Sequence, residues 1–246
     1  MGACELTHQA RMAIDIALAR VQHHAYCDVL TELGCEVVNL PADRALPDCV
    51  FVEDVAIVLD DVAIVTRPGA ASRRPEAAAV AEALLPYRRV THILEPGTMD
   101  GGDVLRIGRR IFVGRSARSN ASGIGQLQTI AGPYGYTVTA VPVRRCLHLK
   151  SAVTEVAPGA VLLNPAWVDP RAFCAVSVIE VDPSEPGAAN GLLVGGGLIY
   201  PASFPKTRRR LETAGIAVTT VDVSELQKAE GAVTCCSLII RVEEGR

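Results

Sequence analysis

Five short aliphatic runs recur along the chain, each opened by a polar or small residue: EDVAIV at 53–58, GDVLRI at 102–107, KSAVTEV at 150–156, ANGLLV at 189–194 and CCSLII at 235–240. With Asp54, Asp103, Ser151, Asn190 and Cys235 as markers, the spacings are 49, 48, 39 and 45 residues. A repeat at this period points to stacked or radially arranged units. After each of the first four runs comes a turn and a second apolar run, at Val62–Thr66, Ile111–Gly114, Ala160–Leu163 and Leu198–Tyr200. Apolar residues then recur at three- and four-residue spacing over Arg74–Leu85, Gly123–Gly135 and Pro205–Ala214, which predicts a helix in the first, second and fourth units. A third run closes several units, as at Tyr136–Val141 and Ala217–Val221.

Each unit reads strand, turn, strand, helix, strand. The fifth marker lies close to the C-terminus and has no helix after it, but Ile14–Leu33 reads as a helix and Glu36–Leu40 as a strand at the other end. Five such units closed head to tail form a ring of small sheets, a closure that limits exposed edges. An open α/β sheet is the alternative, since strand–helix alternation is common to both. In a ring, residues far apart in sequence meet at the axis when they hold equivalent places. That geometry singles out Glu53 and Asp54, Asp100 to Asp103, His148 to Ser151, Asn190, and Cys235 and Cys236.

The 246 residues read as one domain, 1–246, able to bury a core without disulfide or metal staples. A net charge of −3 argues against nucleic acid or an anionic membrane as partner. No apolar run approaches the roughly 20 residues of a membrane-spanning helix. The N-terminus has no signal-peptide apolar stretch, so the eight cysteines imply reduced thiols and a cytoplasmic protein. None are spaced as a CxxC pair, and no structural metal site is expected.

Cys235 begins an apolar run and reads either as a small core residue or as a nucleophile, the latter requiring a nearby cation or base. His148 is the only histidine at an inner-strand start and could serve such a cysteine as acid and base. Asp100, in MDGGDV, is either a glycine-turn residue or the carboxylate that orients His148. Asp48, Glu53 and Asp54 place three carboxylates in a mostly apolar stretch. If no internal cation answers them, a guanidinium ligand is the natural partner. Arg73 and Arg118 follow the outer strands of the first two units, and are either exposed or a forked clamp for a carboxylate.

Together the segments LPDCVFVED at 46–54, TRPGAASRR at 66–74, DGGDV at 100–104, FVGRSARSN at 112–120, HLKS at 148–151 and ELQKAEGAVTCCSLII at 225–240 resemble the dimethylarginine dimethylaminohydrolases of the guanidino-modifying (pentein) superfamily, over nearly the whole chain. The resemblance implies a five-bladed α/β propeller with pseudo-fivefold ββαβ repeats. It implies Cys235 as nucleophile, His148 as acid and base, and Asp100 as its carboxylate partner. Asp48, Glu53 and Asp54 would hold the guanidinium, and Arg73 and Arg118 the substrate carboxylate. The backbone carbonyls of Leu6 and Ala229 would take the α-amino group, with the Leu6 segment as a flap. The implied reaction converts methylated arginine to citrulline through a covalent thiouronium, with no cofactor, though Zn²⁺ could inhibit at Cys235. Only Met1–Cys4 precede the flap residue Glu5, where family members have a strand, so the fifth unit is expected to lack an outer strand. The protein is expected as a monomer or homodimer. An arginine deiminase is the runner-up, and a non-catalytic binding module of the same fold is a third reading.

Overall fold

In the computed structural model, which describes residues 1–241, four of the five aliphatic runs open three-stranded sheets. The helix α1 (Ile16–Glu32) comes first. The first sheet is β1 (Ala56–Val58), β2 (Val62–Val65) and β3 (Arg89–His92), with α2 (Ala77–Leu84) before its last strand. The second is β4 (Val104–Ile107), β5 (Arg110–Arg115) and β6 (Thr137–Pro142), with α3 (Ala121–Ala131). The short α4 (Leu149–Ala152) leads into the third, β7 (Val153–Ala157), β8 (Ala160–Leu163) and β9 (Ser177–Glu180). The fourth is β10 (Leu192–Val194), β11 (Gly197–Pro201) and β12 (Val218–Val221), with α5 (Pro205–Thr213), and α6 (Ser224–Gln227) follows it.

All four sheets share one topology: the first two strands pair antiparallel and the third joins the second in parallel. An antiparallel pair needs only a tight turn, whereas a parallel neighbour needs a crossover. Gly195 and Gly196 make the β10–β11 turn with φ of 58° and 78°, values glycine adopts without steric cost. A Cβ on Gly195 would also stand 2.1 Å from the carbonyl oxygen of Leu33, so this turn is packed against the end of α1. The predicted helices become the crossovers α2, α3 and α5. The third unit, for which no helix was predicted, crosses over with a single 3-10 turn, Pro170–Phe173.

Five apolar clusters join these parts in sequence. Ile64 and Ile111 belong to the cluster between the first and second sheets, Phe112 and Leu163 to that between the second and third, and Leu162 and Leu198 to that between the third and fourth. Ile199 and Val221 pack with Tyr26 and Leu30 of α1 and with Val233. Leu238 and Ile240 then pack against Val55, Ala56 and Ala63, so the C-terminal run returns to the first sheet and the ring closes. Each middle strand is covered on both faces, which is why these strands read as continuous apolar runs rather than alternating ones.

The fifth unit departs from the expected pattern. Neither Glu36–Leu40 nor the run after Cys235 is a strand, because neither has a hydrogen-bonded ladder partner among the described residues. The run still takes an inner-strand place. Ser237, Leu238 and Ile239 line a central cavity of about 220 Å³ together with residues of β1, β4, β7 and β10.

Candidate active site

The ring brings the segments just before its inner strands to one end of the axis. A 3-10 turn at Val52–Val55 carries Glu53 and Asp54, and another at Gly101–Asp103 follows Asp100. His148 is the extended residue before α4, and Cys235 sits in a turn whose backbone oxygen accepts the N–H of Glu53 at 3.1 Å. Asn190 ties two units together, since its Nδ2 donates to Lys150 O and to Thr234 Oγ1, each at 3.0 Å. The expected convergence of these marker residues is therefore present in space.

Cys235 and His148 line one small pocket of about 20 Å³, together with Asp48, Asp54, Arg73, Arg118, Ala229, Glu5 and Glu230. Asp48 and Asp54 face this pocket, whereas Glu53 lines the central cavity beneath it. The same division separates Cys235 from Thr234, which faces the cavity.

His148 is buried among carboxylates. Its Nε2 lies 3.0 Å from Asp100 Oδ2, and its Nδ1 lies 3.7 Å from Asp54 Oδ1. Asp103 does not touch the ring but fixes the backbone beside it, accepting the N–H of Leu149 at 3.0 Å and the hydroxyls of Ser116 and Ser119. Burial alone would pull the histidine pKa down. The fields of Asp54, Asp100 and Asp103 outweigh it and raise the value to about 9, so His148 is an imidazolium at neutral pH. Gly101 and Gly102 make this crowding feasible: a Cβ on Gly101 would stand 2.0 Å from Glu53 O, and one on Gly102 2.5 Å from His148 Nδ1.

Cys235 is in the opposite situation. Burial, then the negative charges of Glu53 and Asp54, push its thiol up to about 12. The site thus holds a neutral thiol beside a protonated histidine. Asp54 is itself held below the usual carboxylate range: burial raises it, but His148, Arg73 and the Gly102 N–H together lower it further.

The acids do find internal cations, contrary to the condition set by the sequence. Arg73 Nη1 lies 2.5 Å from Asp54 Oδ2, and Arg73 also pairs with Glu76 at 2.8 Å. Lys150 Nζ lies 2.5 Å from Glu53 Oε1, while Glu53 Oε2 accepts from Thr234 Oγ1 at 2.8 Å. Glu53 is therefore occupied on the cavity side rather than offered to the pocket. Asp48 is met only by backbone, accepting the N–H of Glu5 at 3.0 Å, and burial raises its pKa. Arg118 is buried, 3.6 Å from Asp100 Oδ2, and donates to Thr7 Oγ1 at 3.0 Å. Leu6 lies in the strap over the pocket without lining it, whereas Ala229 does line it. Glu76, Lys150, Asp103, Thr234 and Glu230 were given no role by the sequence reading. The Arg73–Glu76 spacing of three residues and the marker position of Asp103 were the available signals.

Among the described residues, Asp54, Asp100 and His148 each offer a ligand atom, all within 4.8 Å of one another, a set able to hold a metal ion. No described helix is long and apolar enough to cross a membrane.

The pairing of a half-buried thiol with a carboxylate-bound histidine in an acid-lined pocket invites comparison with known proteins. No protein-family profile matches the chain. It is 45% identical over 239 residues to the N(G),N(G)-dimethylarginine dimethylaminohydrolase of Streptomyces coelicolor, covering 96% of this chain and 91% of the relative. The chain belongs to the dimethylarginine dimethylaminohydrolase family. The enzyme of that name from Pseudomonas aeruginosa is 36% identical over 226 residues, 91% of this chain and 89% of that one. Its solved structure in complex with citrulline superposes with a TM-score of 0.90 at 34% identity, covering 94% of this chain and 91% of the other. A dimethylarginine dimethylaminohydrolase adduct with S-methyl-L-thiocitrulline gives the same TM-score and identity, covering 94% and 92%. The family fold is thus the α/β architecture described above, here with four formed sheets.

Proposed function

We propose that residues 1–246 act as one hydrolase domain that converts Nω-methylated arginine to citrulline and a methylamine, with Cys235 as nucleophile. One observation carries the reading: Cys235, an Asp100-bound His148 and paired carboxylates and arginines share the walls of one pocket. Asp48 and Asp54 are the pocket's acids for the guanidinium. Arg118 and Arg73 are its cations for the substrate carboxylate, and the backbone carbonyls of Leu6 and Ala229 are candidates for its α-amino group. Glu53 supports from behind through Thr234.

The electrostatics set the order of events. A thiol near 12 is a poor nucleophile until a cation enters its field, and the bound guanidinium supplies that charge opposite Glu53 and Asp54. As the guanidinium enters, Cys235 gives its proton to solvent water, since His148 is already protonated, and the thiolate attacks the guanidino carbon. The His148 imidazolium gives its proton to the departing amine, leaving a thiouronium on Cys235. Neutral His148 next takes a proton from water, and the resulting hydroxide attacks the thiouronium carbon. The C–S bond breaks as the adduct's hydroxyl proton passes to the leaving sulfur, so citrulline departs with Cys235 again a thiol and His148 an imidazolium. Asp100 fixes the ring through both steps.

The scheme requires no metal or organic cofactor. Zn²⁺ would act as an inhibitor, competing for Cys235 or for the Asp54–Asp100–His148 cluster. All eight cysteines are free, which supports a reducing, cytoplasmic setting. The only partner the reading calls for is the small-molecule substrate, and it suits a monomer or a homodimer.

The test is citrulline formation from asymmetric dimethylarginine and from arginine in parallel. Turnover of the methylated substrate, lost in Cys235→Ser with folding intact, is the expected result. Citrulline from arginine alone would replace this reading with a deiminase, and an active Cys235→Ser would remove the nucleophile.

A further inference from the structure

The pocket as it stands has room for a water molecule or two but not for an amino acid with an arginine-length side chain. Its cover is the strap between buried Cys4 and Asp15, whose N–H is held by Glu225 at 2.9 Å. Within that strap Glu5, Thr7, His8 and Gln9 are exposed and add little apolar packing. What holds them is polar. Glu230 Oε2 accepts the N–H of Thr7 at 2.9 Å, and its Oε1 accepts those of His8 at 2.5 Å and Gln9 at 2.6 Å. One carboxylate thus gathers three successive backbone donors. Ser72 to Glu5, Arg118 to Thr7 and Glu5 to Asp48 add polar ties, while at the flanks Leu6 and Ile14 pack against the core cluster of Tyr26 and Val233 and Lys228 Nζ donates to Ala13 O at 3.2 Å.

Glu230 occupies an unusual backbone position for its type. It follows α6 with φ of 59°, in the left-handed region where a helix ordinarily ends on glycine, and its own N–H bonds back to Gln227 O at 3.1 Å. A glutamate there costs of order 1 kcal/mol relative to glycine. Helix capping does not account for that choice, whereas the three strap bonds do.

We infer that Glu230 is a positioning residue, the latch that holds the strap closed over Cys235 and must release it to admit substrate. The inference rests on the pocket being the substrate site, and it adds that Glu230 governs how often the pocket opens. In the closed state Arg118 is committed to Thr7, so the cation proposed for the substrate carboxylate is freed when the latch opens.

The test is Glu230→Gly, which removes the carboxylate while giving α6 the residue its end prefers. The melting temperature is expected to stay level or rise. Iodoacetamide labelling of Cys235, read by mass spectrometry against exposed Cys174 in the same molecule, is expected to speed up about tenfold, the factor for roughly 1.4 kcal/mol of lost hydrogen bonding. Hydrogen exchange of the Thr7, His8 and Gln9 amides should accelerate alongside, and Glu230→Gln, which keeps an acceptor oxygen, should fall between the two. Should Glu230→Gly prove poorly folded, Gln9→Pro deletes one donor from the exposed strap side and should move labelling the same way. Unchanged Cys235 labelling in a folded variant of either kind would overturn the latch. Faster labelling in a protein that makes no citrulline would leave the latch standing and remove the catalytic reading instead.

Discussion

Replacing Asp100 by Asn probes the charge arrangement on which the site depends. Asp100 is fully buried, with Oδ2 3.0 Å from His148 Nε2 and 3.6 Å from Arg118, and Oδ1 accepting the Gly69 N–H at 2.8 Å. Asn preserves the shape and can keep the Gly69 bond through its oxygen. It must then turn its NH₂ toward the N–H of the imidazolium, and Arg118 loses its counter-charge. Removing one member of a buried charged pair costs about 3–5 kcal/mol, and since Asp54 and Asp103 remain near His148, the lower end, about 3 kcal/mol, is expected. The pH dependence makes this specific. His148 is raised from 6.5 to about 9, which is worth about 3 kcal/mol of stability. That contribution is fully present below the unfolded pKa near 6.5 and is lost as pH rises through about 9. With one of the three carboxylates gone, the rise is smaller, so the variant should lose less stability than the parent over the same range. The assay is urea unfolding of both proteins at pH 7 and pH 9.5, where ionisation of other groups largely cancels in the difference. A cost that is identical at the two pH values, or below about 1 kcal/mol at pH 7, would show that Asp100 does not stabilise a protonated His148.

Two further outcomes follow from the same geometry. Gly102→Ala would place a Cβ 2.5 Å from His148 Nδ1 and 2.7 Å from Asp54 Oδ1, forcing the ring off Asp100. It should cut citrulline formation by about 100-fold or more at a stability cost of about 2 kcal/mol, checked by kinetics and thermal melting on one preparation. Alkylation of Cys235 in the substrate-free protein should keep climbing from pH 7 to pH 10, because its thiol is pushed up to about 12. A plateau below pH 9 would mean that the thiolate is already stabilised without substrate.

The candidate site was legible in the sequence to the extent that it follows the repeat. Asp54, Asp103, Asn190 and Cys235 were marked by their places before aliphatic runs, and a chain that repeats a unit around an axis brings equivalent places together. Asp48 and Asp54 face the pocket while Glu53 faces the central cavity, a division set by the turns that carry them. Less legible was who answers each charge. Lys150 reaches Glu53 from 97 residues away, and Arg73 reaches Asp54 from 19 residues away across β1 and β2, distances along the chain that no local pattern encodes. The fifth unit is where composition and structure part. CCSLII has the composition of a strand, but a strand exists only where a neighbour completes its ladder, and none does so here among the described residues.

Local pattern alone marked the strand–turn–strand start of four units and the helices of the first, second and fourth within a few residues of their ends, because apolar periodicity and turn residues act over short stretches of chain. Only the tertiary structure decided the protonation states. A cysteine near 12 and a histidine near 9 follow from burial and from carboxylates contributed by different units, and a field of that kind depends on distances between side chains that exist only once the ring has closed.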